Sequence, residues 1–361
     1  MRDMEELFFE LFQVALGHRD TLSHYPSETE WRAMFTIAQT QAVVGIAFDG
    51  IKLLGKNDQK PPLALLYKWI GLSEQIKKRN LIVDKRCQEL EKILNDGGFK
   101  CCVLKGQGTA LYYEHPEYRQ CGDIDIWVKG DRDEILGFAR KKGCHIGHID
   151  IKHSDIDFFE DVSVEVHFLP SWMYNPVTNK KLQKFFEKQS SRQFDNFGVE
   201  NGFTHTTVDF DLVFSIVHIY RHIFSEGIGL RQLMDYYYIL QNSTQEQRKE
   251  AYDVLRSLKM SSFVGGIMWI LRNCFGMKDE YLLCPMNIKH GRFLLSEILT
   301  AGNFGQYDVR TKRVAHNKRF VRGFVQFKKN LRFVYYYPSE VLWSPFWKLW
   351  HYFWRKRKGY L

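Results

Sequence analysis

The spacing of apolar and polar positions changes character twice along the chain. Up to about residue 98 it is helical. Trp31, Met34, Phe35, Ala38, Ala42 and Ile46 recur every 3.6 residues, and Ser27 with Glu30 three positions on gives a capping-box start just ahead of them. Gly50 and Gly55 end that pattern, and residues 57–62 read as a polar loop. A long amphipathic stretch from about Leu63 to Leu94 follows, closed by Asn95-Asp96-Gly97-Gly98. From Phe99 the period shortens. Residues 100–104 and 124–128 are short apolar runs that predict buried strands, and 131–142 predicts a helix with Ile135, Leu136 and Ala139 on one face. Residues 145–151, 155–159 and 163–168 alternate with period two, which predicts a meander of strands. From Leu182 helices return, most clearly over 209–224 and 230–241, until a break at Ala301-Gly302-Asn303-Phe304-Gly305. The pattern predicts an α+β chain in four parts. These are a helical region over 1–98, a small mixed α/β core over 99–170, a helical domain over 171–305 and a tail over 306–361.

Composition narrows the class. Of 361 residues, 45% are hydrophobic and 26% charged, which is ordinary for a globular protein and excludes disorder or a fibre. No apolar run approaches the roughly 18 residues that span a bilayer. The acidic, amphipathic opening MRDMEELFFELFQ does not have the form of a signal peptide. Seven cysteines, an odd number without a CxxC, give no disulfide framework. The expectation is a soluble cytoplasmic protein with reduced thiols. The net charge of +9 is unevenly placed: from Asp308 onward the balance is +12, leaving −3 for the rest. The tail interleaves its bases with Phe320, Phe324, Phe327 and Phe333, and Trp347, Trp350 and Trp354 form a helical stripe. Three readings of it compete: docking on the body with Arg355 to Lys358 exposed, a peripheral contact with an anionic membrane, or binding of nucleic acid.

The candidate chemistry is concentrated in residues 104–128, LKGQGTALYYEHPEYRQCGDIDIWV. A strand is expected to end at Lys105-Gly106-Gln107-Gly108. Glycines there let backbone N–H groups approach an anion, and the start of a following helix favours negative charge. Gly122 introduces Asp123 and Asp125, two apart on a strand, so both carboxylates leave one face while Ile124 and Ile126 leave the other. Two such acids repel each other unless a cation joins them, and Mg²⁺ is the hard, phosphate-compatible partner. Glu165, in Val164-Glu165-Val166-His167-Phe168, is the candidate third acid, with His167 on its face. Asp155-Ile156-Asp157 is a second Asp-x-Asp, with no glycine loop before it, and reads as a polar hairpin face. His218 and His222 share a helix face without a visible third ligand, which favours packing. Arg231 and Asp235 have the spacing of an intrahelical ion pair, or else Arg231 belongs to the cleft.

On the run LKG…R…GDIDIWV, a helix and then VEVHF, the chain resembles the nucleotidyltransferase fold superfamily, which includes DNA polymerase beta, CCA-adding enzymes and antibiotic adenylyltransferases. More closely it is similar to a little-characterised bacterial branch in which Leu-Lys-Gly stands where others have Gly-Ser. The N-terminal helices, the segment from His218 to Asp235 and Gly302-Asn303-Phe304-Gly305 resemble that branch's helical flanks. The resemblance implies a small mixed-sheet nucleotidyltransferase core between helical regions. It implies Asp123 and Asp125 as the metal-binding pair for two Mg²⁺, and Glu165 as the third carboxylate, which activates the acceptor. It makes Gly106 the glycine of the phosphate loop, with Gln107 where a serine is usual and a longer loop to Asp123. Lys105 and Arg119 become candidate phosphate cations, and Gly108 and Gly122 complete the nucleotide-binding set. The implied activity moves a nucleoside monophosphate from a nucleoside triphosphate, with ATP expected, to an unknown hydroxyl acceptor and releases pyrophosphate. Two other readings stay open: transfer of a phospho-alcohol headgroup on the same fold, and a non-catalytic nucleotide-binding regulatory module, which Gln107 favours.

Overall fold

A computed structural model describes residues 3–55, 59–310 and 330–360. Phe320, Phe324, Phe327 and the bases among them lie outside the described residues. Four helices open the chain: α1 (Asp3–Ala15), α2 (Glu28–Thr40), α3 (Val44–Leu53) and α4 (Leu63–Asp96). Ser27 and Glu30 form the expected capping box. The single helix predicted through Ala42 and Ile46 is instead two. Ala42 takes a left-handed backbone (φ 57°) between α2 and α3, a conformation that costs about 1–2 kcal/mol for an L-residue. Tertiary bonds offset it. The buried Gln41 side chain donates to Ile298 O and accepts from Leu230 N–H, both at 3.2 Å. The apolar period survives the break because α2 and α3 bury their stripes in the same core.

The centre is a five-stranded mixed sheet of order β1-β2-β5-β4-β3, formed by β1 (Cys101–Val103), β2 (Ile124–Val128), β3 (Ile146–Ile149), β4 (His153–Ile156) and β5 (Val164–His167). β2 and β5 are parallel, and the other pairings are antiparallel, so β3–β5 is the predicted meander. The middle strand of that meander starts two residues earlier than its alternation suggests. Asp150 N–H bonds His153 O, which opens the strand there, and Asp157 N–H turns to His145 O.

Alternation on β2 and β5 sorts the side chains. Ile124, Ile126, Val128, Val164 and Val166 bury against Val83, Leu90 and Leu94 of α4 and against Ile135, Leu136 and Ala139 of α6 (Arg132–Lys141). The opposite face meets the second helical group: α7 (Pro176–Phe194), α8 (Val208–Ser225), α9 (Leu230–Gln241), α10 (Gln245–Ser257), α11 (Ser261–Cys274) and α12 (Ile288–Ala301). There Trp127 packs on Phe194 and Phe210. α9 is buried on every side, and its Arg231 and Asp235 therefore need partners inside the protein.

A last helix, here α13 (Pro338–Lys358), lies across the sheet domain and the second helical group. The buried Glu340 carboxylate accepts from Tyr174 N–H (2.6 Å) and from Arg221 Nη1 (2.7 Å). Trp347 tilts against Tyr174, Trp350 stacks on Trp172, and Arg132 covers the Trp354 ring. The Trp stripe is thus docked but not sealed, since Trp350 keeps 46% exposure. Arg355 is not among the free bases either: it bonds His148 and Tyr360 O. No helix among the described residues is long and apolar enough to cross a membrane.

Candidate active site

Register gathers the acids. Asp125 on β2 faces Glu165 on β5, and Glu165 faces Asp155 on β4. One carboxylate oxygen each of Asp123, Asp125 and Glu165 lies within 4.8 Å of the others. The period-two alternation that buries Ile124, Val164 and Val166 on one face is what turns these acids to the other. His167, next along β5, sends Nε2 to Asp125 Oδ1 (2.9 Å) and lies 3.5 Å from Glu165 Oε2. His153, its cross-strand partner on β4, brings Nδ1 to 3.5 Å from the same Oε2.

Two cations already serve these acids. Lys105 Nζ sits 3.0 Å from Asp125 Oδ2, and His167 bonds the other oxygen. Burial works against the Asp125 charge, but Lys105 and then His167 outweigh it and hold the carboxyl below its usual range. Glu165 is also held low against burial, chiefly by His167 and then His153. Lys105 and His167 are both raised despite burial, by the same acids. Asp123 moves the other way: the neighbouring Asp125 charge, then burial, push it up to about 6. Its negative charge is the one that the site's own cations leave least compensated. His153 is driven down to about 3 by burial, Lys152 and His167, so its ring is neutral near pH 7.

The loop from Gly106 to Asp123 is held from behind. Gly106 has φ 64°, a left-handed turn suited to glycine. The helix expected after it is a single turn, α5 (Gln107–Ala110), too short to offer much dipole. Gln107 is buried and donates to Asp84 Oδ1 (2.5 Å). Gly108 is packed: a Cβ there would meet His205 Cβ at 3.2 Å and Val103 O at 3.3 Å. Arg119 forks onto Asp235 (2.7 and 2.9 Å), which also accepts from Tyr113 OH (2.6 Å). Asp235 is therefore bonded to Arg119, across the fold, rather than to Arg231 one turn away. Arg231 donates to Gln120 O (2.9 Å) and brings Nη1 to within 3.8 Å of where a Cβ on Gly122 would be.

Two cavities meet at Lys105. A recess of about 40 Å³ is lined by Lys105, Arg119, Arg231 and Asp235. Each of these two arginines keeps one buried nitrogen, Arg119 Nη1 and Arg231 Nε, without a hydrogen-bond partner. On the other side opens a cleft of about 700 Å³, floored by Asp123, Asp125, Glu165, His153 and Asp155 and walled by His218, His222, Trp172 and Trp347. His218 and His222 thus line the cleft rather than only packing. Their rings lie 4.2 Å apart, and His222 Nδ1 is 3.3 Å from Glu226. Sequence reasoning missed His153 and set Asp155 aside. The usable signal was the apolar phase of Ser154-x-Ile156, which puts 153 and 155 together on the opposite face.

Residues 27–276 match the model of a family described as uncharacterised nucleotidyltransferase. No curated protein matches the chain.

Proposed function

Since the chain belongs to the uncharacterised nucleotidyltransferase family, we propose that it moves a nucleoside monophosphate from ATP to a hydroxyl acceptor, in a Mg²⁺-dependent reaction that releases pyrophosphate. The observation that carries this reading is the pairing of three clustered carboxylates with a buried basic recess, both reached by Lys105. The donor set fits the ions the reaction needs. Its oxygens are hard, they lie within 4.8 Å of one another, and Asp123 carries charge that an added cation would relieve. Asp123, Asp125 and Glu165 would hold two Mg²⁺. Bound there, Mg²⁺ supplies charge neutralisation for the triphosphate and acidifies the acceptor hydroxyl. Glu165, held ionised chiefly by His167, would ligate the second ion or take that hydroxyl proton.

The partnerless Arg119 Nη1 and Arg231 Nε offer donors to a terminal phosphate in the recess. Lys105 lines both recess and cleft, so its ammonium can serve an acid or a phosphate oxygen. Gln107 spends its amide on Asp84, so phosphate contact at the loop falls to backbone N–H groups near Gly106. Calorimetry of ATP, GTP, CTP and UTP, each with and without Mg²⁺, tests the reading. Micromolar binding of at least one triphosphate only with Mg²⁺, lost in Asp123→Asn, is expected. Equal binding without the metal, or in the variant, would remove the catalytic assignment and leave the regulatory-module reading.

A second observation favours a peripheral position at the cytoplasmic face of a membrane. Leu342, Phe346, Leu349 and Phe353 recur along the side of α13 turned away from the body and are 57–67% exposed. Lys356, Arg357 and Lys358 stand at its C-terminal end. An apolar stripe beside a cluster of bases matches an anionic lipid surface better than nucleic acid, which has no use for exposed leucines.

A further inference from the structure

Three side chains on two adjacent strands make a donor set of a different kind from the carboxylate cluster. One ring nitrogen each of His153 and His167 and one carboxylate oxygen of Glu165 lie within 4.8 Å of one another. Both histidines reach Glu165 Oε2 at 3.5 Å. An ion with bonds of about 2.0–2.1 Å in a tetrahedral site holds its ligands about 3.4 Å apart, so the spacing already suits one. His153 Nδ1 is buried and has no hydrogen-bond partner, although a neutral imidazole nitrogen at that depth normally finds one. The other nitrogen of His167 lies 3.4 Å from Leu169 O, the usual outer contact of a ligating histidine, and Nε2, which bonds Asp125 at 2.9 Å, faces the acids, so an ion bound here would take the place of the Nε2 proton.

We propose that His153, Glu165 and His167 form a second divalent-cation position. It would share Glu165 with the Asp123/Asp125 position and take a nitrogen-preferring ion of the Zn²⁺ or Co²⁺ class rather than Mg²⁺. The inference rests on the two-ion reading above and replaces its second Mg²⁺ with an ion of another class, which makes the two positions chemically unlike. The β2 side offers only carboxylate oxygen and suits an ion travelling with a triphosphate. The β4 side offers two imidazoles and one carboxylate, with the fourth position open to the cleft and to an acceptor oxygen. Nitrogen ligands select against Mg²⁺, which holds oxygen ligands and water far more readily.

The test uses the full chain stripped with chelator and titrated with Co²⁺. One equivalent should develop the intense visible bands of a four- or five-coordinate ion, displaced by Zn²⁺ and not by millimolar Mg²⁺. His153→Ala should weaken Co²⁺ at least about tenfold with its circular dichroism unchanged, whereas Asp123→Asn should keep the bands. Should His153→Ala not fold, low-temperature pulsed electron paramagnetic resonance of the Co²⁺-loaded wild type decides, since ¹⁴N coupling is expected. An octahedral, oxygen-only Co²⁺ spectrum, absence of ¹⁴N coupling or a wild-type response in folded His153→Ala would each overturn the proposal. Calorimetry of Mg-ATP on the same preparation separates the two readings. Nitrogen-bound Co²⁺ without nucleotide binding leaves this site and removes the transfer reaction. Nucleotide binding with oxygen-only metal does the reverse.

Discussion

Asp123 and Asp125 sit two residues apart in one motif, yet their charges have opposite consequences for the fold. The Asp123 carboxyl, at about 6, binds its proton more tightly folded than unfolded. Stability from this group is therefore fullest below about pH 4 and falls as pH rises through about 6. Asp123→Asn removes that loss, so in metal-free buffer at pH 7 it should melt higher, by the equivalent of at most about 3 kcal/mol. At pH 4 the two proteins should melt alike. Differential scanning calorimetry at the two pH values checks the sign. By the same titration, Mg²⁺-dependent nucleotide binding should weaken as pH falls through 6, when Asp123 becomes protonated. Asp125 has a depressed pKa, so its contribution is present above the usual carboxylate range and lost on acidification. Asp125→Asn strands Lys105 and His167 without their buried partner and should cost about 3–5 kcal/mol at pH 7, read by urea unfolding. The sequence made the acids legible, because a period of two assigns faces without knowing the fold. It could not rank them, since the ranking depends on Lys105 arriving from one strand away and His167 from another.

Among the elements, the loop between Gly106 and Asp123 shows how one buried pair can stand behind a surface motif. Arg119 and Asp235 join that loop to α9 through two hydrogen bonds, with Tyr113 as a third donor. Removing one partner leaves an uncompensated charge at full burial. Arg119→Ala should therefore lower stability by about 3–5 kcal/mol, measured by chemical denaturation. Spacing along α9 favoured Arg231 as the partner of Asp235, and spacing was a poor guide because the helix is buried all round. In such a helix the choice goes to whichever charge arrives with better geometry, and a fork across the fold gives two aligned bonds. A similar limit explains the break at Ala42. The apolar period continues through it because two helices share one core, so only the tertiary bonds of Gln41 reveal the turn.

At the scale of the whole molecule, α13 carries an exposed apolar stripe and a terminal run of bases on one helix. Glu340 is its anchor. Tyr174 and Arg221 both depend on this carboxylate, and they belong to the wall of the cleft and to α8. Glu340→Gln should cost about 3 kcal/mol and lower the melting temperature. Farther along, Lys348, Lys356 and Arg357 are exposed and should tolerate replacement. The triple change to Gln should leave the melting temperature nearly unchanged while weakening binding to phosphatidylserine vesicles by about 1 kcal/mol per base. Co-sedimentation at low and high salt, beside an RNA shift assay, reads this. Binding to RNA alone would turn the surface over to nucleic acid, and binding to neither would leave α13 structural.

The sheet at the centre carries a consequence for inheritance. On β2 and β5 Ile124, Ile126, Val164 and Val166 belong to the core, while Asp125, Glu165 and His167 between them face the cleft. Folding and chemistry therefore drift on separate clocks. A lineage can lose Asp123 with its hydrophobic face intact, and by the argument above it gains stability in doing so. Copies that have abandoned the reaction would persist as sound, well-folded proteins and would still match the family over most of their length. Kinship here certifies the scaffold. What marks a working descendant is the persistence of Asp123, an acid that the fold, left to itself, is better off without.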